Sequence, residues 1–288
     1  MVIRFAVEVQ MLKCRGVVAG LLLGLTFGVS GAEPQLQGRW VQGGLMQGQV
    51  PAGTEVWFND KPLSVSAEGR FVLGLAYDEG AAAELRLRQG GTVERYEYRV
   101  ETRQYDEQRI SGLPQKMVTP PESALKQIAL DNQRVSAARG RDTAATDYAG
   151  GFIWPVPAVV SGVYGSRRIL NGEPKQPHFG IDLAAPTGTP VKASAAGVVS
   201  LARSDLYYTG GTVILDHGQG LSTTYLHLSA LDVKDGQRVD AGQVIGRVGA
   251  TGRATGPHLC WRANWFQTRL DASLLVEPEP AQKGQSKR

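Results

Sequence analysis

The 288 residues are 42% hydrophobic, 20% charged and 7% aromatic, enough apolar material for one large or two ordinary domains and too much for a disordered chain. Thirty-one basic against 27 acidic residues leave a formal charge of +4 with no long block of either sign, which gives no support to a nucleic-acid partner. Glycine, at 36 residues, argues against a long helical bundle and for short strands joined by turns.

Lys13 and Arg15 precede an uncharged apolar stretch, Val17 to Val29, shorter than the roughly 20 residues of a membrane span. Ser30 and Ala32 then place small residues three and one before Glu33. Residues 1–32 are therefore expected to be a cleaved signal peptide. Cys14 precedes the apolar stretch, the wrong side for a lipidated cysteine, and leaves with the leader. The exported chain then keeps a single cysteine, Cys260, which excludes a disulfide scaffold.

Between 33 and 105, short alternating runs such as Glu55–Phe58, Arg70–Leu73, Ala83–Leu87 and Glu94–Val100 are separated by Asn59-Asp60 and Gln89-Gly90-Gly91 turns. This pattern predicts half-buried antiparallel strands in a small β-sandwich. Residues 106–150 form a linker, in which Pro121-Glu122-Ser123 opens a helix with Pro at its first position. Leu125, Ile128, Asn132 and Val135 set an interrupted apolar stripe, and Gly140 stops it. Strand signals return over 151–275, at Val191–Ala193, Gly197–Leu201, Thr212–Leu215, Thr223–Leu228, Gln243–Val248 and His258–Arg262. No helix longer than two turns fits there. Residues 276–288 read as a disordered tail. The fold class expected is all-β: an amino-terminal sandwich, a linking helix, and an antiparallel sheet domain with a surface groove.

All four histidines fall between 178 and 258. His178 and Asp182 are four apart, an even spacing that puts both on one face of a strand, and His258 and Cys260 share a face for the same reason. Such a sheet can present His178, Asp182 and Cys260 to one metal ion, with His227 and His258 beside it. Each has an ordinary alternative: a solvated turn for His178 and Asp182, a packed strand histidine for His227, a buried small hydrophobe for Cys260. His217, in a turn after an apolar run, reads as structural.

The stretch from Ile153 to Phe266 resembles the M23 zinc metallopeptidases, the lysostaphin-like cell-wall endopeptidases. The resemblance is carried by Val163-Tyr164-Gly165-Ser166-Arg167, His178-Phe179-Gly180-Ile181-Asp182, Tyr225-Leu226-His227-Leu228-Ser229 and Gly249-Ala250-Thr251-Gly252-Arg253-Ala254-Thr255-Gly256-Pro257-His258-Leu259. It implies His178 and Asp182 as the first two Zn²⁺ ligands, and His227 and His258 as the non-ligand histidines that activate water and stabilise the intermediate. The family's His-x-His falls on His258-Leu259-Cys260, so cysteine stands where the third ligand is normally histidine. The implied activity is hydrolysis of peptide bonds in peptidoglycan stem peptides or cross-links, in the periplasm, by a monomer. A cell-wall amidase or other envelope protein is a possible partner.

Cys260 leaves two readings open. Either its thiolate ligates zinc and gives a less Lewis-acidic site, or the site is degenerate and the domain regulates a wall amidase without hydrolysis. A third class is suggested by Pro190-Val191-Lys192-Ala193 and Val239 to Ile245, which resemble half-motifs of biotinyl or lipoyl carriers, although Lys192 falls inside a strand signal. Tyr164 and Arg167 on one side, and Tyr207, Tyr208 and Arg253 on another, are candidate groove walls.

Overall fold

A computed structural model describes residues 3–6, 34–112 and 119–276. Most of the expected leader, including its apolar stretch, and all but the first residue of the expected tail lie outside the described residues. Alternation builds the amino-terminal unit. In Ala82–Gln89 the side chains of Ala83, Leu85 and Leu87 are buried while Glu84 and Arg86 face outward. Gly90 and Gly91, both at positive φ, turn this strand directly into Thr92–Arg99. Glu55–Phe58, Lys61–Pro62 and Ile3–Ala6 complete a five-stranded sheet, which faces a three-stranded one of Gln35–Gly38, Leu45–Gln49 and Arg70–Gly74. Phe71, Leu73, Leu85 and Tyr96 fill the space between.

That core does not end at the sandwich. The same hydrophobic cluster continues through Tyr164, Leu183, Trp261 and Trp265 into the second half of the chain. Gly74 marks one close approach: a Cβ there would lie 2.7 Å from Trp265 Cβ and 2.9 Å from Leu270 Cδ2.

The helix, α1, spans Glu122–Arg139 and stops at Gly140 as expected. Pro121 is not its first residue but its extended N-cap, at φ −66° and ψ 152°. The apolar stripe is also shifted from the expected one. Leu125 is exposed, and the packed face is Val135 with Ala138 against Leu201, Leu206 and Ile214. Asp131 is buried on this face and accepts a hydrogen bond from the Tyr207 backbone N–H at 2.8 Å.

The second half is built on an eight-stranded antiparallel sheet. Its strands are β1 (Val159–Gly162), β2 (Ile181–Ala184), β3 (Gly197–Leu206), β4 (Gly210–Gly218), β5 (Leu221–Leu228), β6 (Arg238–Val239), β7 (Leu259–Trp265) and β8 (Thr268–Leu270). The order is β1-β2-β7-β5-β4-β3-β6, with β8 on β7. One face carries Trp261, Tyr225 and Leu215 into the core, and α1 covers part of the other over β3 and β4. With both faces covered, β4 and β5 are buried along their whole length, which is why their sequences lack clean alternation. The expected linker also contributes a strand, Glu107–Ile110, which pairs in parallel with Arg167–Leu170. The only helices among the described residues after 150 amount to one 3₁₀ turn, Ala272–Leu275.

Candidate metal centre and groove

β2 and β7 bring the first two groups together by register alone. Asp182 lies directly across from Cys260, and cross-strand partners share a face. His178 reaches them differently. It is not on a strand with Asp182; β2 begins only at Ile181, and His178 sits in the loop before it. The two side chains do come together, 3.1 Å apart, but not by the shared strand face that the even spacing predicts. The chain bends at Gly180, where a Cβ would come within 2.9 Å of both Cys260 Sγ and Arg262 Cγ, and this close approach lets the imidazole fold back over the sheet.

His227 needs a second device. Tyr225 points into the core, so simple alternation would send His227 the same way. Instead β5 carries a bulge: the pairing shifts between Gly211–Leu228 and Val213–Tyr225, and His227 has φ +66°. Its N–H donates to Thr209 O at 2.9 Å, and the ring turns to the face that holds Cys260. His258 precedes β7 in an isolated bridge to Gly249, and its ring centroid lies 4.8 Å from that of His227. His217 is elsewhere, fully buried with Nδ1 2.6 Å from Ala196 O and Nε2 2.8 Å from Thr223 Oγ1.

The result is a compact donor set. His178 Nε2 lies 3.1 Å from Asp182 Oδ1 and 3.4 Å from Cys260 Sγ, and the three ligand atoms lie within 4.8 Å of one another. Four-coordinate ligands at zinc-like bond lengths are spaced by about 3.3–3.6 Å. Asp182 Oδ1 is buried with no hydrogen-bond partner among the described residues, a state that a cation would relieve. Gly162 leaves room for that carboxylate, since a Cβ there would lie 2.5 Å from Asp182 Oδ2. His178 Nδ1 faces Val163 O at 3.3 Å; a carbonyl only accepts, so the tautomer protonated on Nδ1 suits this contact and is the one in which Nε2 would serve as a metal ligand beside the other two donors. Imidazole, carboxylate and thiol in this arrangement fit a metal ion.

Charge within the site is organised by burial. Burial raises the Asp182 carboxyl, but His178 beside it, and His258 further off, outweigh this and hold it below the ordinary carboxylate range. Burial pushes the His178 imidazole down and the Cys260 thiol up to about 11, the latter partly opposed by Arg262, whose Nε donates to Sγ at 3.4 Å. Burial likewise pushes His227 down to about 4, keeping it neutral. Its Nδ1–H donates to Thr251 O at 2.8 Å, which leaves Nε2 free to accept a proton. His258 Nδ1 faces Gly256 O at 2.9 Å, and its Nε2 is 3.7 Å from Asp182 Oδ1.

These groups floor a groove. One cavity of about 340 Å³ is lined by His178, Asp182, Cys260, His227 and His258, with the loop from Arg253 to Pro257 as a wall. Of the expected wall residues, Tyr208 and Arg253 line the adjoining cavity, with the Arg253 guanidinium 4.4 Å from the Tyr208 ring centroid. Tyr164 does not: it is buried in the core and donates to Arg269 O at 2.9 Å. Arg167 lies exposed on its strand and lines neither cavity. Sequence reading missed Arg168, Arg262 and Arg269, all of which do line the groove. Arg262 was legible, since it is two residues from Cys260 on the same strand face.

A mostly β chain with a His-Asp-Cys donor set at the floor of a groove, flanked by two further histidines, has the build of a metal-dependent hydrolase. Residues 176–272, which contain all five of these side chains, match the family model for peptidase family M23. A crystal structure of a candidate peptidase M23 from Pseudomonas aeruginosa superposes with a TM-score of 0.63 at 30% identity, over 82% of this chain and 95% of that one. The chain belongs to peptidase family M23. It is 53% identical over 83 residues to the peptidoglycan DD-endopeptidase ShyA of Vibrio cholerae, covering 29% of this chain and 19% of that protein. It is 51% identical over 103 residues to the DD-carboxypeptidase/endopeptidase Mpg of Neisseria meningitidis, covering 36% of this chain and 24% of that one. The chain thus spans a quarter or less of the length of these curated relatives.

Proposed function

We propose that this protein is an exported Zn²⁺-dependent endopeptidase that hydrolyses peptide bonds in peptidoglycan stem peptides or cross-links. The observation that carries this reading is the convergence of His178 Nε2, Asp182 Oδ1 and Cys260 Sγ at the floor of the groove. The names of the relatives ShyA and Mpg supply the substrate class. The leader pattern before Glu33 supports the periplasm as the compartment.

His178, Asp182 and Cys260 would hold the ion, with the Asp182 carboxylate and the Cys260 thiolate bringing two negative charges to it. A bound zinc ion supplies an acidified water and a polarised carbonyl. His227, neutral and with Nε2 facing the groove, accepts the proton from the attacking water. His258 presents the second Nε2 to the same groove, where it is placed to donate to the developing oxyanion. The thiolate makes the centre more electron-rich than a His₂Asp set, which shifts activity to higher pH than in a Cys260→His variant.

Purified peptidoglycan incubated with the zinc-loaded protein is expected to release soluble peptides whose masses report peptide-bond cleavage, and Asp182→Ala should abolish release. Absence of any release under zinc-loaded, thiol-reduced conditions overturns the hydrolase reading and favours a wall-binding regulator.

A further inference from the structure

Next to the metal-ligand cavity, and sharing Arg168, His178, Arg262 and the Arg253–Thr255 wall with it, lies a second cavity of about 430 Å³. Its lining includes five cations, Arg168, Lys175, Arg253, Arg262 and Arg269, and not one carboxylate. Four of these are arginines, whose planar fork suits a carboxylate or similar oxyanion. We propose that this cavity is an anion subsite that takes a free carboxylate of the peptide substrate, with Arg269 as its central specificity residue, so that the bond cleaved lies close to a free carboxylate.

The existing contacts of Arg168, Arg262 and Arg269 leave much of their charge facing the cavity. Arg168 reaches Asp182 Oδ2 only at 3.5 Å, and Asp182 belongs to the metal-ligand set. Arg262 Nε is directed at the Cys260 sulfur. Lys175 is paired with Glu173 at 2.7 Å on the outer rim. Arg269 has the least compensation: its Nη1 is buried with no hydrogen-bond partner among the described residues, and its guanidinium stands 6.0 Å from the Phe179 ring centroid. Arg168 Nε is likewise buried and unpartnered among the described residues.

Behind this wall sits another cation. Arg139, the last residue of α1, is buried and its Nε has no hydrogen-bond partner among the described residues. Burial first, and then the charges of Arg269 and Arg262, push its guanidinium well below the usual range. Burial, with Arg262 next, pushes Arg269 down to about 10. Cations that crowd one another in low dielectric, without a carboxylate among them, carry an electrostatic cost that an anion would remove. A group placed there would be held beside His178, one cavity away from the reacting bond. Bidentate guanidinium contacts would fix its direction relative to the groove.

The inference rests on the peptidase reading only in its hydrolysis arm. The probes are acetyl-L-lysyl-D-alanyl-D-alanine with a free carboxyl terminus, its terminal amide, and acetyl-L-lysyl-D-alanyl-D-aspartic acid α-amide, which keeps a carboxylate on the side chain alone. Binding to the metal-free protein is measured by calorimetry, and cleavage by the zinc-loaded protein is measured by mass. The free acid should bind, and be cleaved, about ten- to a hundredfold better than the amide, as for a hydrogen-bonded ion pair. Arg269→Gln should bring that ratio close to one by weakening the acid and not the amide, and Arg269→Lys should restore part of it. Tyr164 bonds the Arg269 backbone and not its side chain, so these variants keep that contact. If the side-chain carboxylate alone restores binding, the subsite reads a side-chain acid; if only the terminal carboxylate does, it reads the chain end. Equal binding of acid and amide by the native protein overturns the proposal. Selective binding of the acid with no cleavage of any probe supports the subsite and counts against the hydrolase reading instead.

Discussion

Gly180 offers the sharpest test of how the metal centre is assembled. Its φ is not left-handed, so Gly180→Ala introduces no backbone strain, and the variant changes only the space in front of Cys260. The new Cβ would lie 2.9 Å from Cys260 Sγ, 2.9 Å from Arg262 Cγ and 3.1 Å from Trp261 O, against ordinary contact distances from 3.4 Å upward. The Arg262 stem can swing aside. Cys260 cannot move freely: it is 1% exposed on a central strand and paired with Asp182 on one side and Leu226 on the other. Separation by about half an ångström must come from the sulfur or from the His178 loop. Overpacking of this kind costs about 1–3 kcal/mol, and the reduced freedom of the unfolded chain returns about 0.4–1 kcal/mol. The net loss, at most about 2.6 kcal/mol, converts to a fall of up to roughly 10 °C in Tm for a chain of this size. Metal affinity should fall by about ten- to a hundredfold, the range seen when the groups that orient ligands are disturbed. Calorimetric melting of the metal-free protein and competition with a chromophoric chelator read the two effects separately. Gly150→Ala is the control, because a Cβ there meets nothing within 4 Å. Unchanged zinc affinity in Gly180→Ala would refute the view that this glycine sets the spacing between loop and strand.

Three further outcomes follow from the site and its surroundings. Substitution of His227 by Ala should lower the hydrolysis rate by about 10²–10⁴-fold while leaving one bound metal per chain by elemental analysis, because its Nδ1 is committed to Thr251 O and it is not in the donor set. Cobalt loading of the native protein should give a sulfur-to-metal charge-transfer band that disappears in Cys260→His with metal retained; a spectrum that is the same in both would show that the thiolate is not a ligand. The third concerns His217, whose imidazole burial pushes below its ordinary value, the Ala196 carbonyl only partly opposing. It stays neutral in the fold while the unfolded chain takes up a proton near pH 6.5, so its contribution is complete above about pH 6.5 and is lost as pH falls toward the folded value. The stability difference between the native protein and His217→Asn, from urea midpoints, should therefore shrink between pH 7 and pH 5, and a difference that stays constant over that range would contradict the assignment.

Most of the strand framework was legible because alternation reports burial directly wherever only one face of a strand is covered. Glu55–Phe58 and Ala82–Gln89 are of this kind. β4 and β5 were found as shorter segments, since both faces are covered and the period of two is lost. The stripe on α1 was misplaced for a related reason. Its packed face includes Asp131, whose charge hides the position from any apolar pattern, yet its carboxylate is used by the Tyr207 N–H.

The donor set shows a different limit, because residue spacing constrains a face only inside a regular strand. Asp182 and Cys260 obey that rule, each on its own strand and opposite each other. His178 and His227 do not. One arrives through a loop bend that needs Gly180 to lack a side chain, and the other through a bulge that places a histidine at φ +66°. A non-glycine residue held in that region costs on the order of 1–3 kcal/mol and persists only where its surroundings over-determine it. Here the Thr209 carbonyl takes the backbone N–H and the Thr251 carbonyl takes Nδ1, so both ends of His227 are fixed from neighbouring loops. Thr251 Oγ1 in turn donates to Leu228 O and accepts from Gly211 N–H, which ties the groove-wall loop to the bulge itself. The loop Gly249–His258 is thus part of the device that aims His227 and not only a wall for substrate, and neither role can be read from the position of a histidine in an alternating run.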